Sequence, residues 1–102
     1  MLTDLEIEKE IAAICDVEIY EDMGLSGFQL IRLDNYERWH PLTDDALCFQ
    51  FCYGDDIRVS YTECPAGSGK AYWAVKDGMQ TDYQPTPNRA VCLAKLNIFS
   101  EF

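Results

Sequence analysis

Thr86-Pro87-Asn88-Arg89-Ala90-Val91-Cys92-Leu93-Ala94-Lys95-Leu96-Asn97-Ile98-Phe99 is the stretch that decides how the chain is arranged. Thr86 suits the cap of a helix, and Pro87 supplies a pre-set φ at a position where its missing N–H costs nothing. Behind them Ala90, Val91, Leu93, Ala94 and Ile98 fall on one broad face at helical spacing, wide enough to lie flat on a sheet. Ala90 and Ala94, one turn apart, allow that sheet to come close. The spacing predicts a helix against which everything else packs.

Outward from it, the start of the chain carries a second helix. Thr3-Asp4-Leu5-Glu6 is a capping box, and Leu2 and Ile7 are placed for a hydrophobic staple. Ile7, Ile11 and Ile14 form a narrow apolar stripe, which predicts a helix over 4–14. Glu6 and Glu10 lie one turn apart on its other side, and like charges at that spacing destabilise an isolated helix by about 0.2–0.5 kcal/mol. Residues 17–20 read as a short edge strand, 21–27 as a loop and 28–33 as a strand that Asp34-Asn35-Tyr36 ends.

Pro41 pushes His40 out of helical geometry, and Thr43 followed by Asp44 and Asp45 reads as a helix start with acids on the positive end of the dipole. The run 46–53 is ambiguous. Leu47, Phe49, Phe51 and Tyr53 alternate as a strand would, whereas Leu47/Phe51, Cys48/Cys52 and Phe49/Tyr53 pair as a buried helix would. The cap at Thr43 and the terminating Gly54 favour helix. Residues 57–62 and 71–75 read as two strands joined by a Gly-rich hairpin loop over 64–70. Asp77-Gly78 ends the second strand, and a polar connection leads to Pro85 and the last helix. This order predicts a single domain over 1–102 of the α+β class: a three-layer helix–sheet–helix sandwich with a small, mainly antiparallel sheet.

Composition bounds the function. At 102 residues, 48% hydrophobic and 25% charged, the chain is a globular domain large enough for a real core. No apolar run is long enough to span a bilayer, and the N-terminus is acidic where a signal peptide is basic, so a cytoplasmic protein is expected. The net charge of −10 argues against nucleic-acid binding and against docking on anionic lipid. The acidity is uneven. Asp4, Glu6, Glu8, Glu10, Asp16, Glu18, Glu21 and Asp22 face Lys9 alone within residues 1–22, which therefore hold seven of the ten net charges.

The chemical signals are weak. Gly67-Ser68-Gly69-Lys70 resembles part of a phosphate loop, but Cys64 stands where that motif needs glycine and Ala71 where it needs serine or threonine. A strand, rather than a helix, is expected to follow it. His40 reads as a loop histidine at an element boundary rather than a general base. Asp44/Asp45 are explained as helix N-terminal acids and Asp55/Asp56 as a solvated turn. The five cysteines (Cys15, Cys48, Cys52, Cys64 and Cys92) read as reduced core thiols. Cys48 and Cys52, four apart, are placed to face one way on a helix, but with a single histidine no zinc set of the usual spacing can be assembled. No catalytic residue, cofactor or metal is expected, and the chain is not read as an enzyme.

The residues from Trp39 onward resemble small phage proteins of the NinX-like group and the related phage ABA-sandwich domain. The resemblance rests on Trp39-His40-Pro41-Leu42-Thr43-Asp44 as an aromatic-to-helix start, on Trp73 in the second strand of a hairpin, and on Pro87-Asn88-Arg89-Ala90-Val91-Cys92-Leu93 in the closing helix. It covers 39–99 and a generic first helix over 5–14; residues 16–38 have no counterpart. The resemblance implies a helix–sheet–helix fold and a phage or prophage origin, and it carries over no catalytic residue.

Charge and resemblance together lead to one expectation: an accessory protein that binds and inhibits or redirects a bacterial protein, of the anti-defence or anti-CRISPR type. Its contact residues would be Glu6, Glu8, Glu10, Glu18, Glu21 and Asp22, set against a basic, nucleic-acid-binding surface of the target. The bland reading of the same residues is that acidity keeps a small protein soluble. The alternative is a small ligand-binding module or enzyme built on the open sheet face around Trp73, Tyr61 and His40. Self-association, as a homodimer, is a third option.

Overall fold

A computed structural model of the chain describes residues 2–24, 27–63 and 69–100. Helix α1 spans Asp4–Ile14, and its capping box is formed. The Glu6 amide donates to Thr3 Oγ1 at 3.2 Å and the Thr3 amide to Glu6 Oε1 at 3.3 Å. Ile7, Ile11 and Ala12 are buried, whereas Ile14, expected to complete the stripe, stands half exposed. Cys15 continues the inner face instead, its Sγ meeting the Phe51 carbonyl at 3.5 Å.

The chain leaves α1 through Asp16 in the left-handed region (φ 55°) and enters a hairpin, β1 (Ile19–Gly24) and β2 (Gly27–Arg32). The register runs from Ile19↔Arg32 to Gly24↔Gly27. The loop expected over 21–27 is therefore strand as far as Gly24, with residues 25–26 outside the described set. Acids and glycine are poor strand formers alone, but pairing Glu21 with Leu30 and Asp22 with Gln29 overrides local preference. Trp39 then plugs the space between hairpin and helices. Its indole N–H donates to the Glu8 carbonyl at 2.8 Å, and its ring meets Phe51 edge-on at 5.0 Å.

The ambiguous run folds as helix α2 (Asp45–Phe51). Its cap is Asp44 rather than Thr43: Asp44 Oδ1 accepts from the Leu47 amide at 3.1 Å, while the Thr43 hydroxyl turns back to the His40 carbonyl. Helix wins over strand because Cys48 and Cys52, one turn apart, both reach the core while Phe49 stays in solvent.

Strands β3 (Ile57–Glu63) and β4 (Lys70–Lys76) pair antiparallel, with Ser60↔Trp73 and Tyr61↔Tyr72 in register. Residues 64–68 of the expected hairpin loop, and with them part of the glycine-rich motif, lie outside the described residues; β4 begins at Lys70, so a strand follows that motif, as expected, and not the helix a phosphate loop needs. Asp77 and Gly78, at φ 52° and 78°, turn the chain into a third short strand, β5 (Met79–Gln80), where a plain polar connection was expected. Thr81 and Gln84 extend that edge by bonding to Ala74 and Tyr72.

Helix α3 (Pro87–Lys95) starts as its sequence demands: Thr86 Oγ1 accepts from the Arg89 amide at 3.2 Å and Pro87 occupies the first turn. It packs on β4 and β3, and also touches α1 and α2. The helix is thus surrounded, and every residue from 88 to 94 is buried, Asn88, Arg89 and Cys92 as well as the predicted apolar face. The chain forms the expected small α+β sandwich with antiparallel pairing, but in two sheets where one was expected. Its strands divide into a two-stranded and a three-stranded sheet around a shared core that includes Ile7, Ile11, Leu30, Trp39, Val91 and Leu93.

Candidate functional site

Five of the six acids singled out from sequence are exposed on α1, on β1 or just before β1: Glu6, Glu10, Glu18, Glu21 and Asp22. Glu6 is spent on the capping box, which holds its carboxyl below the usual range through the Thr3 hydroxyl and amide. Glu21 pairs with Lys9 across the gap between α1 and β1, so the two acidic segments are neighbours in space as well as in sequence. The carboxylates of Glu10, Glu18 and Asp22 have no hydrogen-bond or ion-pair partner among the described residues.

Glu8 does not join this surface. Its side chain turns the other way, and Oε2 accepts from the Leu42 amide at 3.3 Å. Burial raises its carboxyl to about 7, against a smaller lowering by that hydrogen bond. Glu8 was expected among the contact acids, and spacing along a helix does not reveal which loop returns to cover which face.

Between α1 and the hairpin lies a shallow cleft of about 390 Å³, lined by Ala12, Ala13, Val17, Ile19 and Leu30, with Lys9 and Glu21 at its mouth. Strand alternation puts Met23 and Phe28 on the same face of the hairpin as Ile19 and Leu30. They sit opposite each other near its tip, 65% and 61% exposed. Met23 falls in the stretch expected to be a loop, so the pair was not anticipated. Its one visible signal was that Met23 and Phe28 sit symmetrically about Gly24-Leu25-Ser26-Gly27.

The alternative grouping of His40, Tyr61 and Trp73 is not drawn into one place. Tyr61 and Trp73 occupy adjacent strands one register step apart, so their side chains leave on opposite faces. Tyr61 lies beside Tyr72 with the Lys70 ammonium 4.4 Å from its ring, while Trp73 meets Tyr83 edge-on at 5.4 Å. His40 lines a separate depression with Glu37, Arg38 and Asp44. Its Nδ1 is 3.1 Å from the Arg38 carbonyl and its Nε2 is 3.6 Å from the Asp44 carboxylate that caps α2, which fits a positioning role at that helix start.

A larger hollow, about 490 Å³, opens beside Arg89 between the starts of α1 and α3. Arg89 is fully engaged there: it donates to Asp4 at 2.6 Å, to Gln84 Oε1 at 2.8 Å and to the Leu2 carbonyl at 3.1 Å. That arrangement ties the N-terminus to the last helix. The ligand-forming group among the described residues lies in the core instead, where Cys48, Cys52 and Cys92 gather.

Compared with protein-family models, with curated proteins and with solved structures, the chain matches none.

Proposed function

We propose that this chain is a binding protein without chemistry of its own, which docks through the α1–β1 surface onto a basic, nucleic-acid-binding surface of a bacterial protein. In the reading the phage resemblance suggests, it is a phage- or prophage-encoded accessory factor that inhibits or redirects a defence protein, in the manner of an anti-CRISPR. The observation that carries the docking surface is the closeness of the acidic segments of α1 and β1, tied by the Lys9–Glu21 pair, with Glu21 on the same hairpin face as the exposed Met23–Phe28 pair. Charge kept only for solubility is best interspersed over a surface free of apolar patches. Charge beside a large apolar pair is instead the anatomy of an interface, where steering and register come from the charges and affinity from the apolar anchor.

The test is capture of partners from bacterial lysate by the wild-type chain, by Glu10→Lys/Glu18→Lys/Asp22→Lys, and by Met23→Ala/Phe28→Ala. The charge-reversed chain should lose its partner, and capture by the wild type should weaken steadily as salt is raised. The apolar variant should capture the partner in lower yield with the salt dependence kept. A partner held equally by all three chains, or held regardless of salt, would refute the reading. No helix among the described residues is long and apolar enough to cross a membrane.

A further inference from the structure

Three thiols from two helices converge in the core. Cys48 faces inward from α2 and Cys52 from the C-cap just past its end, one turn on, and Cys92 meets them from the middle of α3. All three Sγ atoms lie within 4.8 Å of one another, and those of Cys52 and Cys92 are 3.7 Å apart. Cys48 and Cys92 are 0% exposed and Cys52 1%. Packing alone asks only that small apolar side chains fill this space; it does not ask that three sulfurs point at one another.

Metal–thiolate bonds of about 2.3 Å put sulfurs that share one ion roughly 3.8–4.0 Å apart. The three sulfurs are therefore already near ligating distance. Two features select the ion. Soft thiolate donors select soft, thiophilic ions. The described residues supply three such donors, and the Asn88 carbonyl lies 3.9 Å from Cys48 Sγ. The second feature is charge. The walls are apolar, and a net charge left in such a site is costly. Three thiolates on a monovalent ion would leave two negative charges, and on a divalent ion one. On a trivalent centre they leave none.

We propose that Cys48, Cys52 and Cys92 form a binding site for a trivalent thiophilic metalloid, with arsenite as its representative. Arsenite, As(OH)3, condenses with the three thiols. Three As–S bonds form, three As–O bonds break, and each thiol proton leaves with a hydroxide as water. Arsenic stays trivalent, no sulfur is oxidised, and the product carries no net charge.

The probe is arsenite itself, added to the purified, reduced full-length chain. Native mass spectrometry should show one arsenic gained with three hydrogens lost, and near-ultraviolet absorption from sulfur-to-arsenic charge transfer should rise with the same stoichiometry. In the wild type, arsenite should protect Cys48, Cys52 and Cys92 from alkylation after denaturation while leaving Cys15 and Cys64 reactive, a readout that needs no variant. Cys15→Ser/Cys64→Ser should bind as the wild type does. Cys48→Ala, Cys52→Ala and Cys92→Ala, each checked for an intact thermal transition, should lose the absorption. Protection of a different set of cysteines, loss of binding on changing Cys64, or one-to-one binding of copper(I) or zinc(II) with none of arsenite would overturn the assignment.

Discussion

Glu8 stands between the exposed acids Glu6 and Glu10 in sequence, yet its carboxyl is turned inward against the Leu42 amide, and burial raises it to about 7 from 4.5. Between those two values the folded chain holds a proton that the unfolded chain has released, so stability falls as pH rises through this window and levels off above it. Glu8→Gln keeps an acceptor for Leu42 and removes the charge. The variant is expected to match the wild type near pH 4. At pH 8 it should exceed it by about 1–2 kcal/mol, once screening by the solvent that still reaches the group is allowed for. Urea denaturation at the two pH values checks this, and a wild-type stability curve flat between them would count against it. The three-residue spacing of Thr3 and Glu6 was legible in sequence because both partners lie within one turn. The environment of Glu8 was not, because its partner is 34 residues away.

At the scale of elements, α1 and α3 end in the same way. Asp16 and Asn97 adopt left-handed φ of 55° and 59°, and the residues after them, Val17 and Ile98, donate back to Ala12 and Leu93 at 2.9 Å. This closes each helix with paired bonds to its last carbonyls. Glycine takes that backbone without the crowding an L side chain suffers there, so Asp16→Gly should stabilise the chain by about 0.5–1 kcal/mol. Asp16→Val, branched at Cβ in the same conformation, should destabilise it by about 1–2 kcal/mol. Chemical denaturation of the two variants beside the wild type separates them, and equal effects would mean that the left-handed turn is not held in solution. Helices α1, α2 and α3 were readable because caps and periodicity are local. The extension of β1 through Glu21–Gly24 was not, since it exists only by pairing with β2. Strand β5 was readable in principle: Asp77-Gly78 is a strong hairpin signal, but the two residues of β5 are too few to show a period.

For the whole molecule, the contact that joins the two ends of the chain is Arg89. Buried on α3, it reaches Asp4 and the Leu2 carbonyl across the core boundary while also bonding Gln84. Removing it takes the donor from the Leu2 carbonyl and from Gln84, which is buried. Arg89→Ala should therefore cost about 3 kcal/mol. Asp4→Ala should cost no more than about 1 kcal/mol, because Asp4 is mostly exposed and Gln84 and Leu2 still hold the guanidinium. Thermal melts of both variants test the asymmetry; equal losses would show that the ion pair, and not the buried arginine, carries the tie.

From the sequence alone came the α+β class, the positions of the helices, the antiparallel β3–β4 pair and the concentration of acid in the first fifth of the chain. All of these follow from short-range spacing or from counting. Tertiary structure alone decided that α3 is enclosed on all sides, that Glu8 leaves the acidic surface, that Met23 and Phe28 face each other in solvent, and that three cysteines from two helices meet at one point. Each of these depends on residues far apart in sequence, and a one-dimensional pattern records what repeats along a chain but not which distant segment folds back to cover it.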